Sequence, residues 1–388
     1  MQMNAFTYSY PVKVYFGEKA AEKNLALELN KVGSNVLLAY GGGSIKKNGI
    51  YDELMTILKD AGKNVTEFTG IMSNPTYAKV QAGTSLAKDK KIDFILAVGG
   101  GSVIDCCKII SAQAKMDKDI WELEYTDHKQ PTEFIPMGAV VTAFGTGAEM
   151  NNGAVITNTE KMMKSPLWGA FYDFAILDPA YTMTMPMKQV ISGAFDSLSH
   201  SMETYMGSPR EVNLSDEINE ATQRNIIRNI RATIKDPNDI NARSELIWAA
   251  AMAENGILKI GKATDFQCHM LEHQLGAYTD CNHGQGLAVL HPVLYRHMLP
   301  EAKTQFARMA VEVWGIDPDG KSEAELAIAF VDALSAFIKE IGLPTTFEEM
   351  GIPEDTDYKA IADSTILTAG CAKKFTTEEL LEVLLECR

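Results

Sequence analysis

The chain has 388 residues, 46% hydrophobic and 22% charged, which exceeds one core of usual size and predicts two domains. Its 36 basic and 51 acidic side chains give a formal charge of −15. With no run of Lys and Arg to track a phosphate backbone, a nucleic-acid partner is excluded as an expectation. No segment approaches the roughly 20 apolar residues that span a bilayer. The opening MQMNAFTYSYPVKVYFG has no basic region followed by a long apolar one, so no membrane association and a cytoplasmic location are expected.

In chain order, short β-branched runs alternate with helix-period stretches up to about residue 178. Strands are predicted at Lys13 to Phe16, Asn35 to Ala39, Asn64 to Phe68, Phe94 to Val98, Ile135 to Val141 and Phe174 to Leu177. Helical stretches such as Ile50 to Ala61 and Tyr77 to Lys90 lie between them, the second opened by Asn74-Pro75, a proline near the first helical position. Such alternation predicts a parallel sheet with helices on its faces. The β-rich first residues, Phe6 to Phe16, are candidates for pairing across a homodimer.

After Leu177-Asp178-Pro179 the strand signal ends. Helical patterns follow at Asp216 to Ile234, Ala242 to Leu258, Glu301 to Trp314, Glu323 to Ile341 and Thr377 to Cys387, punctuated by Gly and Pro. The expected architecture is an α/β dinucleotide-binding domain over residues 1–180 and an all-helical metal-binding domain over residues 181–388, with a cleft between them for chemistry.

Two glycine loops in the first half point to a cofactor. The apolar run Ile95 to Val98 meets Gly99-Gly100-Gly101-Ser102 and then a helical stretch, Val103 to Lys115. Strand, glycine loop and helix make an anion site, because backbone N–H groups approach a pyrophosphate while the helix N-terminus adds partial positive charge. A tight turn without a ligand is the plain alternative. A second cluster, Phe144-Gly145-Thr146-Gly147-Ala148-Glu149, favours a dinucleotide, with Thr142, Thr146 and Asn151 as side-chain donors. An earlier repeat runs from Asn35 to Tyr40 into Gly41-Gly42-Gly43-Ser44. No Asp or Glu ends that strand, and Ser44 with Lys46-Lys47 favours NADP(H) over NAD(H).

Metal-ligand chemistry is concentrated in the second half. Asp196 and His200 are four apart, as are His269 and His273, so each pair lies on one helix face. His283 follows a polar, glycine-containing stretch that can fold back toward the second pair. The chain has only seven histidines. Imidazole nitrogen and carboxylate oxygen suit zinc or ferrous iron, although one such pair on an amphipathic helix is often two side chains that touch nothing. Four protein ligands on zinc usually describe a closed structural site, so catalysis would need an expanding or weakly held coordination shell. The six cysteines, Cys106, Cys107, Cys268, Cys281, Cys371 and Cys387, form no CxxC pair and read as reduced thiols. Cys268 and Cys281 flank the histidines, but as apolar fillers more than as thiolate ligands.

GGGSVID at 99–105, LDPAYTMTMP, AFDSLSHSMETY at 194–205 and HMLEHQLGAYTDCNHGQGLAVLHP together resemble the iron-containing (group III) alcohol dehydrogenases, in their NADPH-dependent butanol dehydrogenase branch. The likeness spans nearly the whole chain. It implies a Rossmann-like N-terminal domain, a helical C-terminal domain of the kind shared with dehydroquinate synthase, and one divalent ion, iron or zinc, held by Asp196, His200, His269 and His283. His273 would line the site beside the metal and relay a proton. Asp105 matches a position near the cofactor, and NTEKMMKSP offers Lys161 and Lys164 for the lysine that reaches it, with Lys164 assigned. The implied substrates are a small aliphatic aldehyde such as butanal and its primary alcohol. Phe144, Trp168, Trp248 and Phe266 are candidates for an apolar wall. A synthase of the dehydroquinate type and an inactive NADPH-binding scaffold are the rival readings. Few Arg and Lys near the ligands disfavour the first, and the complete ligand set disfavours the second.

Overall fold

The computed structural model describes residues 3–388, and the chain divides into two compact units. One is Ser9–Pro186; the other joins Met187–Arg388 to the described residues up to Tyr8. The division thus falls a little beyond residue 180. Tyr181, 8% exposed, still belongs to the hydrophobic core of the first unit, whereas Asn4 bonds its N–H to Gly261 O at 2.9 Å in the second.

The first unit is built on a sheet of six parallel strands, β1 (Lys13–Phe16), β2 (Asn35–Tyr40), β3 (Asn64–Phe68), β4 (Phe94–Gly99), β5 (Met137–Val141) and β8 (Phe174–Leu177), in the order β1-β8-β5-β4-β2-β3. Central β4 and β5 are buried at every residue, as apolar runs covered on both faces must be. Alternate side chains build one core. Val36, Leu38, Phe94, Leu96, Val98, Val140 and Ile176 pack with Leu25 and Leu29 of α1 (Ala20–Leu29) and with Leu54 and Leu58. The short α2 (Ser44–Lys47) and α3 (Ile50–Asp60), which carries Leu54 and Leu58, follow β2. Next come α4 (Tyr77–Asp89), α5 (Gly101–Gln113) and α6 (Ile120–Tyr125). Thr76 caps α4 by accepting from Lys79 N, so Pro75 stands just outside the helix and not in its first turn.

One element escapes sequence reading. Residues 153–158 and 163–168 form an antiparallel hairpin, β6 (Gly153–Asn158) and β7 (Met163–Trp168). Gly, Asn, Lys and Pro dilute the β-branched signal there. Of the N-terminal segment, only residues 13–16 form a strand, at the sheet edge, while Phe6, Tyr8 and Tyr10 are exposed.

The second unit is helical: α7 (Met187–Tyr205), α8 (Leu214–Lys235), α9 (Ile240–Glu254), α10 (Gln267–Thr279), α11 (His283–Glu312) and α12 (Glu323–Glu340), then shorter helices ending in Thr377–Glu386. Capping boxes open α8 (Asn213 with Asp216) and α12 (Ser322 with Glu325). The pattern expected to run to Leu258 breaks after Glu254, where Gly256 takes φ 88°. That expected from Glu301 is the second half of α11, a 30-residue helix carrying Pro292 and Pro300. No described helix is long and apolar enough to cross a membrane.

Candidate active site

Three helices of the second unit deliver the predicted ligands to one place. α7 presents Asp196 and His200 one turn apart, and α10 presents His269 and His273 in the same way. The fold-back between α10 and His283 has local causes. Asp280 takes φ 50°, turning the chain at the end of α10, and the Asn282 side chain accepts from Gln285 N to start α11. Two glycines permit the close approach. A Cβ on Gly284 would stand 2.2 Å from Ser192 O of α7, and one on Gly286 would stand 2.9 Å from Glu272 of α10.

The buried Asp196 carboxylate is the hub. Its Oδ1 lies 3.4 Å from His269 Nε2, 3.5 Å from His283 Nε2 and 3.7 Å from His200 Nε2. Donors held about 2.1 Å from a tetrahedral ion are separated by about 3.4 Å; Asp196, His200 and His269 offer donor atoms that all lie within 4.8 Å of one another, and His283 joins them through its distance to Asp196 Oδ1. The donor set, one carboxylate and three imidazoles, fits zinc or ferrous iron. His273 stands beside this group, with ring centroids 5.5 Å from His283 and 6.1 Å from His269.

Glu272, His273 and His283 form a second close trio, but the bonding pattern explains it without another ion. The Glu272 carboxylate accepts from His283 Nδ1, and Glu203 accepts from His269 Nδ1. Both imidazoles are thereby fixed with Nε2 turned toward Asp196, the tautomer a metal ligand needs. Glu203 is further anchored by Cys268 N at 2.6 Å. His200, in contrast, has no Nδ1 partner among the described residues; its ring stacks on His269 with centroids 4.4 Å apart. Neither glutamate is singled out by sequence reasoning, although Glu203 lies one helical turn beyond His200.

Electrostatics follow from this burial. Burial opposes the charge on Asp196, yet His200, His283 and His269 together hold its carboxyl well below the usual range. Burial would keep His269 neutral, but Glu203 and Asp196 push it up to about 10. His200 is lowered, chiefly by burial. Burial also drives the Cys268 thiol well above its ordinary value. Cys281 points its Sγ at Glu272 Oε1, 3.8 Å away. Of the four wall candidates, Phe266 lies against the site rings, 5.1 Å from His269 and 5.9 Å from His200. Trp248 stands on α9, 39% exposed.

In the first unit, β4 leads through Gly99 and Gly100 into α5, which Gly101 and Ser102 open. A Cβ on Gly101 would fall 2.3 Å from Thr146 Oγ1, so the two glycine clusters pack directly together. Thr142 N bonds Gly99 O at 3.0 Å, and the Thr146 hydroxyl accepts from Ala148 N at 3.2 Å. At the β2 loop, Gly43 takes φ 92°, but a Cβ on Gly42 meets nothing within 4 Å. Nothing in the folded chain demands glycine at 42, and the bare backbone there is open to a ligand. A Cβ on Gly41, by contrast, would crowd Ile71 O at 3.1 Å.

Two predicted cofactor residues, Asp105 and Asn151, also make contacts within the fold. Asp105 accepts from Val155 N at 2.9 Å and stands 3.7 Å from Lys108 Nζ. Asn151 Oδ1 accepts from Lys108 Nζ at 2.9 Å and Gly153 N at 3.1 Å. Both serve a fully buried lysine that ties α5 to the hairpin. Lys164 is buried in β7 opposite Thr157, whereas Lys161 is exposed at the turn. No acid ends β2 itself, but one approaches from the neighbouring strand. Glu67 of β3 reaches Tyr40, the last residue of β2; a carboxylate supplied by the neighbouring strand is invisible to a search along β2 alone.

Comparison with known proteins matches residues 11–179 to the iron-containing alcohol dehydrogenase domain and residues 190–387 to the C-terminal domain of the Fe-containing alcohol dehydrogenase family. The probable NADH-dependent butanol dehydrogenase 1 of Bacillus subtilis is 39% identical over 98% of this chain and 99% of its own. The NADPH-dependent aldehyde reductase of Escherichia coli is 35% identical over 90% of each chain. The crystal structure of NADH-dependent butanol dehydrogenase A from Thermotoga maritima superimposes with a TM-score of 0.92 at 32% identity, covering 99% of both chains. The chain belongs to the iron-containing alcohol dehydrogenase family.

Proposed function

We propose that this protein is a metal-dependent NADP(H) alcohol dehydrogenase and aldehyde reductase, interconverting small aliphatic aldehydes such as butanal with their primary alcohols. The observation that carries the reading is the buried Asp196 carboxylate with three imidazole Nε2 atoms 3.4–3.7 Å from its Oδ1. Asp196, His200, His269 and His283 hold the divalent ion, and the glycine loops at 41–44 and 99–102 with Thr142 and Thr146 hold the dinucleotide. When bound, the ion supplies Lewis acidity and the nicotinamide supplies the hydride.

The remaining chemistry belongs to the chain. Glu203 and Glu272 fix two imidazoles before the ion arrives, so little reorganisation is needed on binding. The backbone N–H groups around Gly100 and Gly101 and the N-terminus of α5 hold the pyrophosphate. His273 holds a titratable nitrogen within a ring's width of His283 and carries a proton between solvent and the oxygen that becomes the hydroxyl. Mixing the enzyme with excess butanal and NADPH tests the reading through nicotinamide absorbance. Loss of one NADPH per butanol formed is expected; release of product with no net consumption of NADPH would overturn it.

A further inference from the structure

At the end of β2 the chain places an acid and a base in one cluster. Glu67 sits on β3 opposite Leu38 of β2, and its carboxylate accepts from the hydroxyl of Tyr40, the residue that immediately precedes Gly41. Two further donors converge on it, Tyr51 Oη of α3 at 2.7 Å and Lys46 Nζ of α2 at 3.2 Å. The Lys46 ammonium also lies 4.4 Å from the centre of the Tyr51 ring and 5.3 Å from that of Tyr40, close enough for cation–π attraction. The Lys46 and Glu67 side chains are 47% and 35% exposed, so the cluster is open to a ligand at the Gly41–Ser44 loop. The three donors hold Glu67 ionised, below the usual carboxylate range, the Tyr40 hydroxyl being the largest cause.

In doubly wound folds a carboxylate near the end of the second strand holds a free ribose 2′-hydroxyl and repels a 2′-phosphate, whereas a cation there attracts the phosphate. Here the two are joined. We propose that Glu67 sets the dinucleotide preference of this chain by partly neutralising Lys46, so that the Gly41–Ser44 loop accepts NAD(H) alongside NADP(H). The inference rests on the reading of that loop as a dinucleotide site. The 2′-phosphate must share Lys46 with Glu67, and the site gives up selectivity that an unopposed ammonium would confer. Neutralising Glu67 keeps an oxygen for Tyr40 and Tyr51 to donate to, but removes the charge that opposes the phosphate. Lys46 without its charge leaves the carboxylate alone to repel it.

Calorimetric titration of the full chain with NADP+ and with NAD+, which differ only in the 2′-phosphate, reads this without turnover. Wild type is expected to bind both. Glu67→Gln should shift the ratio of dissociation constants toward NADP+ by roughly fivefold, the effect of one charge at partly screened distance, with NAD+ binding little changed. Lys46→Gln should shift the ratio toward NAD+ by a similar factor. Ratios equal to wild type in folded variants would overturn the inference while leaving the dinucleotide site intact. If Glu67→Gln fails to fold, an unchanged ratio in Lys46→Gln overturns it alone. A wild type that binds neither dinucleotide would overturn the underlying reading as well.

Discussion

At the residue scale, the site depends on carboxylates that orient its imidazoles. Glu203 and Glu272 each accept from the Nδ1 of a proposed ligand. Glu203→Ala or Glu272→Ala should weaken metal binding about 10- to 100-fold, the usual cost of losing such a partner. Glu→Gln, which still accepts from Nδ1–H, should recover part of it. Competition with a metal chelator measures this. A second residue prediction concerns pH. Glu149 is buried, and burial pushes its carboxyl up to about 7 from 4.5. Its folded pKa is raised, so the stability it contributes is complete below pH 4.5 and is lost as pH rises through 7. Glu149→Gln should therefore melt higher than wild type at pH 8 and equal it near pH 4. The difference at pH 8 is on the order of 3 kcal/mol. A melting difference independent of pH would assign the effect to packing instead.

At the element scale, what was legible follows from periodicity. The parallel strands are written as short apolar runs, and the Asp196–His200 and His269–His273 pairs in four-residue helical spacing, which one stretch of sequence contains entirely, whereas the pattern of α11 is legible only from Glu301 onward. The hairpin β6–β7 is not. Its strands are held by pairing with each other, and a buried Lys164 in β7 runs against every local signal for a strand interior. The contacts of Asp105 and Asn151 with Lys108 and the hairpin are hidden for the same reason, since they form only once α5 packs on it. Glu67 escaped because it acts from the strand beside β2. The glycines of NHGQG were legible as a motif, but their cause is spatial. Gly284→Ala would drive a methyl against Ser192 O, 2.2 Å away. We expect it to displace the start of α11, lower stability by about 1–3 kcal/mol and remove His283 from the site. Denaturant unfolding together with bound-metal measurement checks both effects; an unchanged variant would mean that α11 tolerates the shift.

At the scale of the whole molecule, the α/β unit and the helical unit divide the labour. Glycine loops and the Glu67–Lys46 pair belong to one, and the buried carboxylate with its imidazoles to the other. The combination of strand–glycine-loop–helix repeats with a histidine-rich cluster in one chain, more than either alone, made the family legible from sequence. The balance between NADP(H) and NAD(H) was not, because the Glu67–Lys46 pair proposed to set it meets only after folding. The most direct test of the central claim is the metal content of the purified chain, read by elemental analysis beside that of His269→Ala and Asp196→Ala. The account predicts one divalent ion per wild-type chain, and in both variants loss of the ion together with loss of butanal reduction. A metal-free variant that reduces butanal at the wild-type rate would contradict it.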